Sequence, residues 1–288
     1  MRDGPRIAFV GAGRLGTVLA LALHRAGYPV VGVASRSRPS AEHLASMIPG
    51  CSVTEIEAAG STADVVFLTV PDDAISAVQG QLQWRADQVA VHCSGALPAA
   101  VLETAIRAGA HAAGFHPLQT FASAEVGLAN LPGSTIGIEA DEGTWPLLAH
   151  LAEDLGAGPI RITAEHRALY HAASALVSNG TVGLMAVAAE MWAALGIERD
   201  EAVRALTPLL QGTVRNIESL GIPAALTGPV VRGDLGTIQR HIEAIANLPR
   251  VDALYRVVSS ALIGLALQRG TINADQAQAL RTILEDPA

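Results

Sequence analysis

The 288-residue chain contains no lysine, so all 19 residues of its Lys+Arg count are arginines. Chemistry that needs an ε-amino group is thereby excluded: a Schiff base, a Walker-type phosphate lysine, or the lysine acid/base of many two-domain dehydrogenases. Half of the residues are hydrophobic and only 16% are charged, with a formal charge of −8, which argues against a nucleic-acid footprint or an anionic-membrane patch but leaves room for one arginine cluster that binds a small anion.

Met1-Arg2-Asp3-Gly4-Pro5 passes directly into an apolar run without the pattern of a targeting leader. Short β-branched or apolar runs then predict strands over 6–10, 29–34, 64–70, 88–92, 111–115, 135–138 and 159–162, separated by helical stretches such as 14–26, 72–81 and 98–108. That alternation predicts an α/β Rossmann fold, a doubly wound and mainly parallel sheet. After about Thr163 the strand signals stop, and the pattern predicts helices over 165–195, 198–220, 234–247, 250–268 and 273–285, with Gly196 and Gly270 at helix C-termini. Two domains are expected: a dinucleotide-binding domain over 1–163 and an all-α substrate and dimerisation domain over 164–288.

The long apolar tract from Ala172 to Leu195 is interrupted by Ser174, Ser178, Asn179, Thr181 and Glu190, which predicts a buried helix of a soluble protein rather than a membrane span. Its small residues predict close packing against another helix, within the chain or across a dimer. Cys51 and Cys93 are read as unpaired thiols with no metal-ligand spacing, so a reducing cytoplasm and no metal are expected.

Gly11-Ala12-Gly13-Arg14-Leu15-Gly16 follows the first strand and opens the first helix, the context in which a GxGxxG turn binds a dinucleotide. The first glycine allows the tight turn, the second lets backbone approach a pyrophosphate, and the third permits close helix–strand contact. The second strand ends Val33-Ala34-Ser35-Arg36-Ser37-Arg38, without the acidic residue that an NAD site offers to the ribose hydroxyls. Ser35, Arg36 and Ser37 or Arg38 are instead expected to hold a 2′-phosphate, so the cofactor is read as NADP (NADPH). Val70 and Pro71 are expected as walls of the site and Ser94 as a polar contact near the nicotinamide, because both turns end strands of the sheet. Asp72 is read as a helix cap.

For acid/base work the candidates are His116, expected just after an apolar strand, and His171 on the first helix of the second domain. Helical spacing puts Arg167, His171, Ser174 and Ser178 on one face with Asn179 beside it, a stripe expected to face substrate. Arg232, in a Gly/Pro-punctuated loop capped by Asp234, is a candidate for a substrate carboxylate, against the equal alternative of a loop salt bridge.

Together with the glycine turn, Thr69-Val70-Pro71-Asp72-Asp73-Ala74-Ile75, His92-Cys93-Ser94-Gly95-Ala96, Phe115-His116-Pro117-Leu118-Gln119-Thr120-Phe121, Leu169-Tyr170-His171-Ala172-Ala173 with Ser178-Asn179, and Leu226-Thr227-Gly228-Pro229 with Arg232-Gly233-Asp234 carry a resemblance over essentially the full length. The chain resembles the bacterial family with an N-terminal Rossmann-like NADP-oxidoreductase domain and a C-terminal helical domain of unknown function. The resemblance implies a homodimer related to pyrroline-carboxylate reductases, ketopantoate reductases and β-hydroxyacid dehydrogenases. The last of these carry a catalytic lysine four residues before an asparagine; here Ala175 stands four before Asn179, and His171 lies a further turn back. The expected function is hydride transfer between NADPH and a small carboxylated ketone or imine, ketopantoate-like in one version, with His116 or His171 supplying the proton and Asn179 and Ser94 orienting the acceptor. The alternatives are a non-catalytic NADP-binding regulatory or interaction protein and, third, a methyltransferase.

Overall fold

The computed structural model describes residues 4–285; Met1-Arg2-Asp3, and with them the start of the Met1-to-Pro5 lead-in, lie outside the described residues. Two compact units divide the chain between Ser178 and Asn179, inside one long helix and beyond the point near Thr163 where the strand signals end.

The first unit runs β1 (Ile7–Val10), α1 (Arg14–Arg25), β2 (Val30–Ala34), α2 (Arg38–Ser46), β3 (Ser52–Val53), β4 (Val65–Leu68), α3 (Asp72–Gln79), β5 (Val89–His92), α4 (Glu103–Arg107), β6 (His111–Leu118), α5 (Ala124–Asn130), β7 (Thr135–Glu139), α6 (Trp145–Asp154) and β8 (Gly158–Arg161), followed by the start of α7 (Arg167–Ala193). The strands form one sheet in the order β3-β2-β1-β4-β5-β6-β7-β8, with β6 and β7 antiparallel and the other neighbouring pairs parallel. Every residue of β1, β4 and β5 is buried, because helices cover both faces of a parallel sheet; this is why the three strands read as continuous apolar runs rather than alternating ones. Phe9 and Phe67 stack at 5.2 Å between ring centres, and Phe115 meets Phe67 edge-on at 5.5 Å. The chain winds outward through β2 and β3 and then returns to lay β4 against β1, so the order reverses at the β1/β4 pair. A doubly wound sheet opens its ligand crevice at the carboxyl ends of such a pair.

Several elements depart from the sequence expectation. β3, α2, α5 and α6 are additional. Two of these helices begin on serine caps: Ser37 accepts from the Ser40 N–H at the start of α2, and Ser123 from the Val126 N–H at the start of α5. The stretch expected as one helix over 98–108 breaks at Leu102 into a 3-10 turn (Ala99–Val101) and α4. His116 lies inside a strand rather than after one, because β7 pairs with β6 from Gly114 to Leu118 and extends it. Asp72 is the first residue of α3, with Pro71 at the cap position. Both cysteines are free, and burial pushes the Cys51 thiol up to about 11.

The second unit comprises the rest of α7 with α8 (Arg199–Leu220), α9 (Leu235–Ile245), α10 (Pro249–Gln268) and α11 (Ala274–Glu285). Gly196 and Gly270 take positive φ after α7 and α10, as their positions predict. Asp234 caps α9, accepting the Thr237 N–H at 3.0 Å. Ile238, Ile242, Ile263 and Leu280 centre a core of their own. The apolar tract on α7 is not buried in the single chain: Leu176, Val177 and Val182 are 76%, 73% and 69% exposed. α7 and α10 are long and apolar enough to cross a membrane by length and composition, a test that core helices of soluble proteins also pass. An apolar cavity of about 410 Å³ lies in this unit, with the His241–Tyr255 hydrogen bond (2.8 Å) on its wall.

Candidate active site

β1 delivers the chain into the glycine turn at Gly11, whose φ of +114° is accessible to glycine alone at little cost. A β-carbon on Gly11 would come 2.7 Å from the Thr69 carbonyl oxygen, and one on Gly16 would collide with the Gly11 carbonyl. Thr69, at the end of β4, locks the turn: its hydroxyl donates to the Gly11 carbonyl at 2.7 Å, while the Gly11 N–H donates to the Ala34 carbonyl at 2.8 Å. Gly13 is the N-cap of α1 and has open space where a side chain would stand. The first-turn N–H groups of a helix lack intrahelical acceptors, and α1 has no acidic side chain there to compete for them. An anion therefore finds both bare backbone donors and a favourable dipole at this point.

A cavity of about 620 Å³ opens over this turn. Gly11, Ala12 and Gly13 form one side, Ser35, Arg36, Ser37 and Ser40 a polar end, and Ile56, Val70, Pro71, Ala74 and Val78 an apolar wall. Ser37 Oγ accepts from the Ser40 hydroxyl at 2.8 Å, so the Ser37 hydrogen remains to donate outward. Arg36 is exposed at the cavity rim, whereas Arg38 is engaged with Glu42 at 3.0 Å and Glu55 at 3.3 Å and does not line it. Backbone donors for a diphosphate, an apolar slot for a base, and hydroxyls with a guanidinium for a ribose phosphate make a donor set that fits a phosphorylated dinucleotide.

The second cluster gathers at the ends of β5 and β6, where three side chains from the first turns of α7 each sit over a glycine. Arg167 is 1% exposed; its guanidinium donates to the Ser94 carbonyl, lies 3.4 Å from Glu139, and occupies the space over Gly114, where a β-carbon would stand 2.5 Å from Nη1. Tyr170 packs over Gly137, whose β-carbon would lie 2.7 Å from the hydroxyl. His171 packs over Gly95, as does His116: a β-carbon there would be 2.5 Å from His171 Cδ2 and 2.9 Å from His116 Nε2. The two imidazoles meet edge to face at 5.7 Å, and His116 Nδ1 is 3.0 Å from the Tyr170 hydroxyl.

His92 and His116 are neutral at physiological pH. Burial first, and then the nearby His171 and Arg167, lower His116 to about 4. Burial and Arg167 lower His92 to about 3; its Nδ1 accepts the Ser94 N–H at 3.2 Å, which leaves the ring hydrogen on Nε2. Tyr170 is raised by burial against the opposing pull of Arg167. Ser94 is 4% exposed and its hydroxyl is fully used: it donates to Asp72 at 2.6 Å and accepts the Ala96 and Leu97 N–H groups.

The structure thus brings together Gly11, Ala12, Gly13, Ser35, Arg36, Ser37, Val70 and Pro71 at one cavity, with Arg14, Leu15, Gly16 and Ser94 outside its lining. Arg14 is exposed on α1, Leu15 packs toward the core, and Gly16 serves the turn itself. His116 and His171 meet each other; Ser174 donates to the Tyr170 carbonyl at 2.8 Å, one turn along the helix, and Ser178 ends the first unit half-buried. Asn179 and Arg232 belong to the second unit, both exposed. Sequence reasoning missed Tyr170 and the seating glycines; Tyr170, three residues after Arg167 and four before Ser174, lies beside them on the helix by spacing.

Residues 4–117 match the Rossmann-like domain, and residues 134–262 match the domain of unknown function DUF2520. The chain joins a Rossmann-like domain to a DUF2520 domain. Solved structures are similar over most of the chain. The TM1727 protein of Thermotoga maritima is 27% identical, with a TM-score of 0.74 over 92% of this chain and 99% of that one. The Bacteroides fragilis protein BF3122, provisionally described as an NADP oxidoreductase, is also 27% identical, with a TM-score of 0.70 over 91% and 98%. A reductive aminase from Aspergillus terreus, solved with NADPH and ethyl-5-oxohexanoate, shares the fold at 17% identity, with a TM-score of 0.63 over 98% and 93%. No curated protein sequence matches the chain. The DUF2520 match begins at Ser134, so Gly137, Glu139, Arg167, Tyr170 and His171 fall within it, while the glycine turn, Arg36, Gly95 and His116 fall within the Rossmann-like match.

Proposed function

We propose that the protein is an NADP-dependent oxidoreductase that moves hydride between NADPH and a small carboxylated ketone or imine, a ketopantoate-like acid being one such substrate. The observation that carries the reading is the polar end of the nucleotide cavity: Ser35, Arg36, Ser37 and Ser40 line it where an NAD site would present a carboxylate. The description of the Bacteroides fragilis protein as an NADP oxidoreductase, at 27% identity over nearly the whole chain, supports the same cofactor. Bound NADPH would supply the hydride. The glycine turn and Thr69 hold its diphosphate, Arg36 and the serines its phosphorylated ribose, and the His116–Tyr170–His171 cluster holds the proton that the reduced oxygen or nitrogen takes up. Arg232 is assigned to the substrate carboxylate and Asn179 to orientation of the acceptor.

The apolar side chains exposed on α7, α8 and α10, among them Leu176, Val182, Leu209 and Val257, support a homodimer formed through the helical domain. Two free cysteines are in keeping with a cytoplasmic setting. The substitution of Ala175 for the lysine of β-hydroxyacid dehydrogenases favours, as a second reading, a protein that binds NADP without turning it over.

Calorimetric titration with NADPH and NADH tests the cofactor: NADPH binds more tightly, and Arg36→Ala erases about 10- to 100-fold of that preference, the value of a charge-assisted phosphate contact. Tighter binding of NADH, or an unchanged ratio in Arg36→Ala, overturns it. NADPH oxidation across a panel of ketoacids and cyclic imines separates the reductase from the binding protein, which leaves NADPH untouched.

A further inference from the structure

We propose that the proton of the reduction is relayed from Tyr170 through His116, the phenolic hydrogen moving to Nδ1 as the ring gives up its Nε2 hydrogen, with Arg167 positioning the pair. The inference rests on the reductase reading above.

The Tyr170 hydroxyl is 3.0 Å from His116 Nδ1 and 3.4 Å from the His116 carbonyl, and the relay places the phenolic hydrogen on the shorter contact, toward the ring nitrogen. The neutral ring then carries its own hydrogen on Nε2, the edge that lies against Gly95. The hydroxyl can reach Nδ1 because Gly137 has no side chain at the point where Tyr170 packs on β7, and the two rings meet edge to face at 5.5 Å.

A neutral imidazole is a poor lone donor, since loss of its only N–H leaves an anionic ring. That cost is removed if Nδ1 gains a proton in the same event, and the group touching Nδ1 is a phenol. The balance is complete. Hydride reaches the carbonyl or imine carbon, the π pair moves to the oxygen or nitrogen, that atom forms a bond to the Nε2 hydrogen, and the Nε2–H bond breaks. An Nδ1–H bond forms, the phenolic O–H bond breaks, and a tyrosinate remains until water reprotonates it. His116 is neutral before and after, with its tautomer exchanged.

The tyrosinate needs a cation, and Arg167 supplies one from the preceding turn of α7, buried and fixed by the Ser94 carbonyl and by Glu139 on β7. The other titratable groups around the pair are His171 on α7, His92 on β5 and Asp72 at the start of α3. Of the charged forms, Arg167 favours tyrosinate and Asp72 and Glu139 oppose it; Glu139 is itself paired with the guanidinium. Arg167 meets neither substrate nor cofactor in this scheme and is a positioning residue, as is Tyr170.

The first test needs no turnover. Ring ¹⁵N spectra of the unliganded protein assign the His116 tautomer: Nε2–H with a hydrogen-bonded Nδ1 acceptor is expected, collapsing to a mixture in Tyr170→Phe. An Nδ1–H tautomer in the wild type overturns the relay. The second test is kinetic. Tyr170→Phe lowers kcat by about 100-fold or more while the KM for NADPH stays within about twofold, and 3-fluorotyrosine at position 170 moves the alkaline limb of the kcat profile to lower pH. Retained kcat in Tyr170→Phe, or an alkaline limb unmoved by the fluorine, overturns the relay alone. A wild type that oxidises no NADPH across the substrate panel overturns the reductase reading and the relay with it. Fluorotyrosine keeps the hydroxyl and so remains decisive if Tyr170→Phe folds poorly.

Discussion

At the end of β1 the cavity surface consists of backbone, short side chains and the exposed Arg36 around about 620 Å³ of open space. At the ends of β5 and β6 the same sheet closes over a packed cluster, with an arginine 1% exposed, two histidines held neutral by burial, and a serine whose hydroxyl has no capacity left. The difference matches the two roles proposed for these regions. An anion that arrives from water needs donors that stay free until it binds. A proton that moves within the protein needs groups whose ionisation is fixed in advance, and in a dense region burial does that.

The contrast can be broken most severely at Arg167. Arg167→Met leaves the half-buried Glu139 and the buried Ser94 carbonyl without their cation, and is expected to cost about 3 kcal/mol in denaturant unfolding; an effect below about 1 kcal/mol would mean that the guanidinium is not fixed where the structure puts it. Acid comes next. His92 and His116 lie at about 3 and about 4 in the folded chain, below their unfolded value of about 6.5. The unfolded state therefore binds more protons between those limits, and stability is full above about 6.5 and falls as pH drops toward about 4, by at most about 1.4 kcal/mol per pH unit for each group. Thermal melts from pH 7.5 to 4 measure the slope, and His92→Asn removes one share of it.

Smaller effects sharpen the comparison in both regions. Gly137→Ala, in the dense cluster, should cost about 1–3 kcal/mol by crowding Tyr170. Gly13→Ala faces open space, so its melting temperature stays unchanged while NADPH affinity falls about tenfold. Thr69→Val removes the clamp on the Gly11 carbonyl and should cost about 1 kcal/mol of stability. A melt that fell more for Gly13→Ala than for Gly137→Ala would reverse the assignment of open and closed regions.

The nucleotide end was legible because its physics is local. The turn at Gly11–Gly16, the strand before it and the helix after it are consecutive, and the missing acid after β2 can be read at Ser35 and Arg36. The cluster was half legible. His116 and His171 stood out by residue type, but the partner of His116 is set by antiparallel pairing of β6 with β7, a contact between distant segments that extended a strand over a position expected beyond its end. Ser94 looked like a ligand group because a serine after a strand is a common one; its hydroxyl turned inward because the following N–H groups and Asp72 needed it. The apolar tract of α7 read as buried because an apolar composition does not say whether the chain's own fold covers it.

Gly95, Gly114 and Gly137 hold, respectively, the two imidazoles, the guanidinium and the phenol. Their consequence is mutational. The four polar side chains could each be exchanged for a smaller one and leave a void, whereas a single methyl group at any of the three glycines evicts its occupant while every chemical group is still present. A saturation scan would therefore mark three positions that carry no functional atom as sensitively as the histidines. The spacing of those bare positions, after β5 and on β6 and β7, is a fingerprint of the cluster that a search restricted to reactive residues would overlook.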